Sequence, residues 1–372
     1  VETLRSGGAE TMVRNLTREL AAAGVDVRIV SIYDDGLSAG ERKALGVPVA
    51  TAARGGRGDL GFFSRLVGLL RAQRPDVVHA HVHAGKFAGR AAALLAGVPS
   101  IVFTEHGEDL GGPLRAAANA VLHARTSRFI TFSQAQRLQF SARERVPPEK
   151  VVVIPNGVRR PPAADRRALR AELGLPENAF VAFLPARMVP LKNHAAIIDA
   201  LAELREGDQT WYVVFAGEGP LEPSLRARAL AKGVGEAVRF LGFRNDAGAL
   251  CAAMDVLVMA SDIERMPVAL GEAMRAGLPV VVAPWPGVED FVRDGLTGVV
   301  AAAGTPHELA RALVRVRGDD ALRAAVVRGA HVFADEHFAL ERTVREHVDL
   351  YRALRDEHAR TASGPARARL LR

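Results

Sequence analysis

The stretch "MDVLVMASDIERMPVALGEAMRAGLPVVV", Met254–Val282, decides the fold. Val256 to Met259 is a continuous run of apolar residues that suits a strand buried on both faces. It leads into the loop Ala260 to Met266. Pro267 suits the first position of a helix, where its missing N–H costs nothing, and that helix continues to Arg275. Ala276, Gly277 and Pro279 then end the helix, and Val280 to Val282 reads as a second strand. Strand, loop, helix and strand in this order form a βαβ unit, the building block of parallel sheets.

The same design occurs earlier, where "RPDVVHAH" is followed by "AGVPSIVFTEHG". Asp76 to Pro99 and Asp255 to Pro279 are separations of 23 and 24 positions, so the chain carries a faint internal repeat. Strands are expected at Asp26 to Ile32, Asp76 to His81, Ser100 to Thr104, Arg128 to Phe132 and Val151 to Ile154. After the turn-rich Pro155 to Pro162, a second series falls at Phe180 to Leu184, Trp211 to Ala216, Val238 to Leu241, Val256 to Met259 and Val280 to Val282. The expected architecture is α/β with two doubly wound, Rossmann-like domains. Residues 1–158 form the first, with a first strand cut short ahead of "SGGAE", and residues 159–340 form the second. A helix at 341–360 is expected to pack back on the first domain, followed by a basic tail at 361–372. Open parallel sheets bind ligands at the carboxyl ends of their strands.

Composition limits the function. A chain of 372 residues with 49% hydrophobic content builds two cores. Its formal charge of +7 suits an anionic partner, although a solvated basic surface has the same composition. Cys251 is the single cysteine, which excludes an intrachain disulfide and fits a reducing cytoplasm. The longest apolar candidate, "AAALLAGVPSIVF", is broken by Gly97 and Pro99 and is too short to span a bilayer. No secretory signal pattern stands at the start.

In the opening stretch, Glu264 lies in the loop at a strand's carboxyl end, and Glu272 follows on the helix. The amides of Met266, Val268 and Ala269 sit at the positive helix end, an arrangement suited to phosphate. "HAHVH" is expected to put His79, His81 and His83 on one strand face. No acidic ligand or cysteine pair accompanies them, so a wall on the acceptor side is the preferred reading over a metal site.

Eight motifs in order, "SGGAE", "DVVHAHVHAGKFAG", "FTEHG", "VIPNGV", "LPARMVPLKNH", "FAGEGP", "FLGF" and "ERMPVALGEAMRAGLPVVV", resemble the retaining GT-B glycosyltransferases of glycosyltransferase family 4, glycosyl transferases group 1. The resemblance covers nearly the whole chain. It implies two domains facing across a cleft and a nucleotide-sugar donor, with a glycan or lipid-linked acceptor; a UDP-sugar is the preferred donor, although recognition of the base by main chain does not spell out the base. By resemblance, Arg187 and Lys192 neutralise the diphosphate leaving group, and Glu264 sits by the transferred sugar and its phosphate. Glu272 would accept hydrogen bonds from the ribose hydroxyls. Gly217 and Gly219 would let backbone approach the nucleotide, and the main chain at Phe243 and Arg244 would bind the base. In the first domain, Gly7 and Gly8 would offer helix amides to the donor phosphates or acceptor, and His106 would contact the donor sugar.

Two positions depart from the family pattern: Ala186 stands where a glycine precedes the donor-loop arginine, and Arg265 where a glycine follows the first glutamate. The sequence contains no two aspartates separated by one residue, so the metal-holding D-x-D of the other sugar-nucleotide fold is absent, and neither a metal nor a cofactor is expected. A dinucleotide oxidoreductase would carry G-x-G-x-x-G directly after an early strand, and none of the strands expected in the first domain is followed by one. A nucleotide-sugar epimerase of the same fold and a non-catalytic sugar-nucleotide-binding protein stay open as alternatives. Nucleic acid is not expected as a partner. The expected location is cytoplasmic; Phe62, Phe63, Leu66, Leu69 and Leu122 stand among arginines, where core packing of their helices is the preferred reading and a face on anionic lipid at the inner side of the cell membrane the alternative.

Overall fold

The computed structural model describes residues 1–4, 8–56, 59, 61–107 and 113–363. The chain divides into two units, Val1–Gly157 with Leu340–Arg372, and Val158–Ala339.

In the first unit, β1 (Ile29–Ser31) pairs with β2 (Val49–Thr51), and β3 (Val77–His81), β4 (Ser100–Thr104), β5 (Arg128–Thr131) and β6 (Val151–Val153) form a four-stranded sheet. All these pairs are parallel. Beside β1, the Val1 amine donates to Val30 O and Ile32 N–H donates to Val1 O, each at 3.0 Å, which puts Val1 in parallel register with Ser31. A cavity of about 530 Å³ lies between β1 and β3. The long helix Leu340–Ser363 sets Leu340, Val344 and Val348 against Met12, Leu16 and Leu20 of the helix Gly8–Ala22. Its start also explains the glycine of "VIPNGV": a Cβ on Gly157 would lie 2.5 Å from Leu340 Cα.

The second unit is one six-stranded parallel sheet in the order β12-β11-β10-β7-β8-β9. Its strands are β7 (Phe180–Pro185), β8 (Trp211–Ala216), β9 (Val238–Phe240), β10 (Val256–Met259), β11 (Val280–Val282) and β12 (Val299–Val300). Every residue of β10 and β11 is buried, as an apolar run covered on both faces requires.

Several expectations are corrected here. The strand expected at Asp26 to Ile32 is only Ile29–Ser31, and β2 and β12 were not anticipated. Runs of two or three residues carry no periodicity; the neighbouring strand makes them strands. Pro267 is the N-cap rather than the first helical residue, with extended backbone at φ −73, ψ 119, and the helix is Val268–Arg275. His83 is not on a strand face. The chain leaves β3 at His81 and turns at Val82, whose φ of 56 is unusual for a β-branched residue, into the helical turn Val82–Ala84.

The apolar residues weighed for lipid contact pack into the first unit, two of them buried and three partly buried. Leu66 is buried, with Phe62, Phe63 and Leu69 packed against the same cluster, and Leu122, on the helix Pro113–Arg125, is buried. Hydrophobic area that packs inside the domain is not available to a bilayer.

Candidate active site

The second unit gathers its charged loops at the carboxyl ends of four adjacent strands, β10, β7, β8 and β9. After β7 the chain continues through Ala186 and the exposed Arg187 into the short 3-10 turn Pro190–Lys192. Asn193 follows in the left-handed conformation, φ 47, and caps the helix His194–Gly207 through its side chain. That cap fixes where Lys192 leaves the turn.

The loop after β10 comes to meet it. Lys192 Nζ lies 2.5 Å from Glu264 Oε1, and the same oxygen accepts from Ser261 Oγ at 2.7 Å. Asp262 N–H donates to Leu191 O at 3.1 Å, so the two loops are joined by backbone as well as by charge. The Glu264 side chain is 6% exposed and that of Lys192 24%, which leaves the cation the more accessible partner. Arg187 makes no ion pair among the described residues. One uncompensated guanidinium and one half-exposed ammonium thus stand on the same loop.

Gly217 and Gly219 have a role that the motif did not reveal. A Cβ on Gly217 would fall 2.1 Å from Ala186 O, and one on Gly219 would fall 2.3 Å from Met188 O. Gly217 also has φ +152, which an L side chain rarely adopts. Glu218 O accepts from Met188 N–H at 3.0 Å between these two approaches. The glycine loop is therefore packed backbone-to-backbone against the residues that flank Arg187, and it sets the height of that arginine over the sheet.

Phe243 is exposed, and its N–H points at Glu218 Oε1, 3.4 Å away. The Arg244 guanidinium is engaged within the protein, by Asp246 at 2.7 Å and Glu172 at 3.1 Å. Its charge is compensated, which leaves only its main chain for ligand.

At the start of the helix Val268–Arg275 the first intrahelical bond runs from Leu270 N–H to Pro267 O at 3.0 Å, and Met266 is buried just before it. Val268 and Ala269 thus occupy the first turn, where helical amides point along the axis without intrahelical acceptors. One turn on, Glu272 has no hydrogen-bond partner among the described residues. It is packed against the short helix Ala247–Leu250, where a Cβ on Gly248 would meet its carboxyl carbon at 3.5 Å. Burial pushes its carboxyl up to about 7.

In the first unit, β3 and β4 present a buried set of imidazoles. His79 bonds Tyr351 Oη at 2.6 Å through Nδ1 and Thr104 Oγ at 2.7 Å through Nε2. His81 Nδ1 lies 3.2 Å from His106 Nε2, and burial lowers His106 to about 4. These rings are neutral at pH 7, and their nitrogens are engaged with one another and with hydroxyls. Gly8 opens the helix Gly8–Ala22, while Gly7 lies outside the described residues. The sequence reading missed Ser261, Glu218, Thr104 and Tyr351. No local motif marks them, because each becomes relevant only through a contact made across the fold.

Two family models match the chain. The one described as Glycosyltransferase Family 4 covers residues 6–160, and Glycosyl transferases group 1 covers residues 165–331. The structure is similar to HepE from Anabaena, with a TM-score of 0.82 and 22% identity over 95% of this chain and 98% of that one. Two Rossmann-like units of this kind give the chain the GT-B fold. An Escherichia coli UDP-Gal:alpha-D-GlcNAc-diphosphoundecaprenol alpha-1,3-galactosyltransferase is 31% identical over 268 residues, 68% of this chain and 69% of its own length. The D-inositol 3-phosphate glycosyltransferase of Salinispora tropica is 29% identical, over 95% of this chain and 82% of its own. The chain belongs to the family 4, group 1 glycosyltransferases.

Proposed function

We propose that this protein is a retaining, metal-independent hexosyltransferase that moves a sugar from a nucleotide-diphosphate donor, a UDP-sugar, to a glycan or lipid-linked acceptor in cell-surface polysaccharide or glycolipid synthesis. The observation that carries the reading is the joined loop pair in the second unit, where Lys192, on the loop that also carries Arg187, pairs with Glu264 at the carboxyl ends of β7 and β10.

As the sugar–phosphate bond breaks, negative charge builds on the leaving diphosphate. Arg187 and Lys192 are fixed cations able to stabilise it, the work that a metal does in other sugar-nucleotide sites. Lys192 would exchange part of its bond to Glu264 for the phosphate. Glu272, unpaired and half-buried, would take the donor's ribose hydroxyls as hydrogen-bond donors. His106, neutral, would meet the transferred sugar. The leaving phosphate would help deprotonate the acceptor on the same face, so no opposite general base is required and configuration is kept. Ala186 and Arg265 leave all these charged groups in place.

The named relatives support the donor class: HepE was solved with UDP and with UDP-glucose, and the E. coli enzyme is named for UDP-Gal. A lipid-linked acceptor would bring the protein to the inner membrane face. No helix among the described residues is long and apolar enough to cross a membrane. The curated relatives are named as transferases, which disfavours an epimerase.

A thermal-shift panel with UDP, GDP, ADP and their sugars tests the reading. UDP and one UDP-sugar should raise the melting temperature most, and that sugar should be turned over with a glycan or lipid-linked acceptor. A shift confined to GDP or ADP would reject the UDP assignment.

A further inference from the structure

The motif "HAGKFAG" contains a lysine that the proposed chemistry does not use. Lys86 lies on the wide π-type turn Gly85–Gly89, which continues the helical turn Val82–Ala84 after the histidine strand β3. Such turns insert an extra residue per turn and recur at functional sites. The wide turn points Lys86 inward, where the residue is only 2% exposed. Its Nζ lies 3.2 Å from Glu144 Oε1 and 3.8 Å from Glu105 Oε2. Burying an ammonium costs several kcal/mol unless it is paired, so an apolar side chain would fill this place more simply.

Glu105 immediately precedes His106. Its N–H donates to Ile130 O at 3.0 Å, its carbonyl accepts from Gln136 Nε2 at 3.3 Å, and its Oε1 accepts from Gly107 N–H at 3.0 Å. His106 is thus carried between two residues tied to each other through one carboxylate. Burial raises the Glu105 carboxyl above its ordinary value, opposed by Lys86 first and Arg143 second, while Glu144 adds to the rise. Without Lys86, only the Arg143 side chain among the described residues, 3.7 Å from Glu105 Oε2 and 3.3 Å from Glu144 Oε1, would stand against the two carboxylates, and the charged hold on Gly107 would weaken.

We propose that Lys86 is a positioning residue: its buried ion pairs with Glu144 and Glu105 hold the Glu105–Gly107 turn and thereby set the place of His106. Its effect on turnover rests on the reading of His106 as the group that meets the donor sugar. A displacement of about 1 Å at such a group is enough to cost on the order of a hundredfold in rate.

The test uses the full chain as wild type, K86M, E105Q, H106A and K86M/H106A, each checked for folding by melting temperature and gel filtration. Imidazole resonances are recorded by NMR in ¹⁵N-histidine protein, with His106 assigned from its loss in H106A. Turnover is measured with the sugar nucleotide identified by the thermal-shift panel. K86M is expected to shift the His106 ring resonance and to lower kcat about tenfold to hundredfold, with KM for the donor within about twofold. It should cost nothing further in the H106A background. E105Q keeps an acceptor for Gly107 but loses the attraction to Lys86, and should show the same pattern more weakly. It carries the test if K86M does not fold. A folded variant with an unmoved His106 resonance would overturn the positioning role, as would an equal loss of kcat in the H106A background. H106A with unchanged kcat would reject the donor-contact reading of His106, while the ring resonance still decides the role of Lys86.

Discussion

Lys192 Nζ and Glu264 Oε1 are 2.5 Å apart although the residues lie 72 positions apart in the chain. The ion pair neutralises the cation, and it holds the loops after β7 and β10 together. A diphosphate would compete for the ammonium with two negative groups at once, whereas the Glu264 carboxylate keeps Ser261 as a donor.

Removing either loop cation should therefore slow the chemistry more than it weakens the fold. Arg187→Ala and Lys192→Ala are each expected to lower kcat at least about a hundredfold, the size of effect seen when one group stabilising transition-state charge is lost. Melting temperature should change little for the exposed Arg187. Steady-state kinetics beside differential scanning fluorimetry would check this, and wild-type rates in both variants would reject the clamp.

Glu272 makes stability depend on pH. Its carboxyl rises from an ordinary 4.5 to about 7 because burial penalises the charged form. Between these values the native protein holds a proton that the unfolded chain has released, so this group's contribution to stability is complete below about 4.5. It is lost as pH rises through about 7. Glu272→Gln should remove that decline, and melting curves from pH 4 to 8 of both proteins would show it. If ribose hydroxyls donate to the carboxylate, nucleotide binding should also release a proton near pH 6. Calorimetry in two buffers of different ionisation heat would detect that release, and its persistence in Glu272→Gln would assign it elsewhere.

Gly217→Ala tests the backbone contact behind Arg187. The added Cβ would meet Ala186 O at 2.1 Å in a conformation with φ +152. Destabilisation of more than about 1 kcal/mol is expected, with a fall in kcat as Arg187 is displaced. Gly207→Ala, at the end of the helix His194–Gly207 with open space around it, serves as a control and should be near neutral.

Catalysis should continue in excess EDTA and give a product with the donor's anomeric configuration. Activity lost to EDTA and restored by manganese would overturn the metal-free proposal. An inverted anomeric centre, assigned by NMR, would overturn the same-face path.

Much of the fold was legible in Met254–Val282 because its order is local. Four consecutive apolar residues, a polar loop, a proline and an Ala-Gly stop define a strand, a turn and a helix from interactions within a few residues. Ser100 to Thr104, Trp211 to Ala216 and Val256 to Met259 came out with the same ends in the structure for that reason. By contrast, β2 and β12 have too few residues to show any pattern and exist only because β1 and β11 offer an edge. Pro267 satisfied the rule for a first helical residue equally well as an N-cap, since both positions dispense with its N–H.

By itself the sequence marked the side chains each unit has to work with: in the second, Arg187 and Lys192 on the loop after β7 and Glu264 and Glu272 after β10, and in the first, His106 after a strand. Tertiary structure decided which of these charges are free and which are spent. Strand order in the second unit places β7 between β10 and β8, so the loop bearing Lys192 meets Glu264 on one side and the Gly217–Gly219 backbone on the other. The same packing satisfies Arg244 within the protein and leaves Glu272 without a donor, while packing inside the first unit buries Lys86 beside Glu105. The physical reason is range. Periodicity and turn chemistry act between neighbours in the chain, whereas charge pairing and desolvation act between neighbours in space, which parallel crossovers bring together from distant positions.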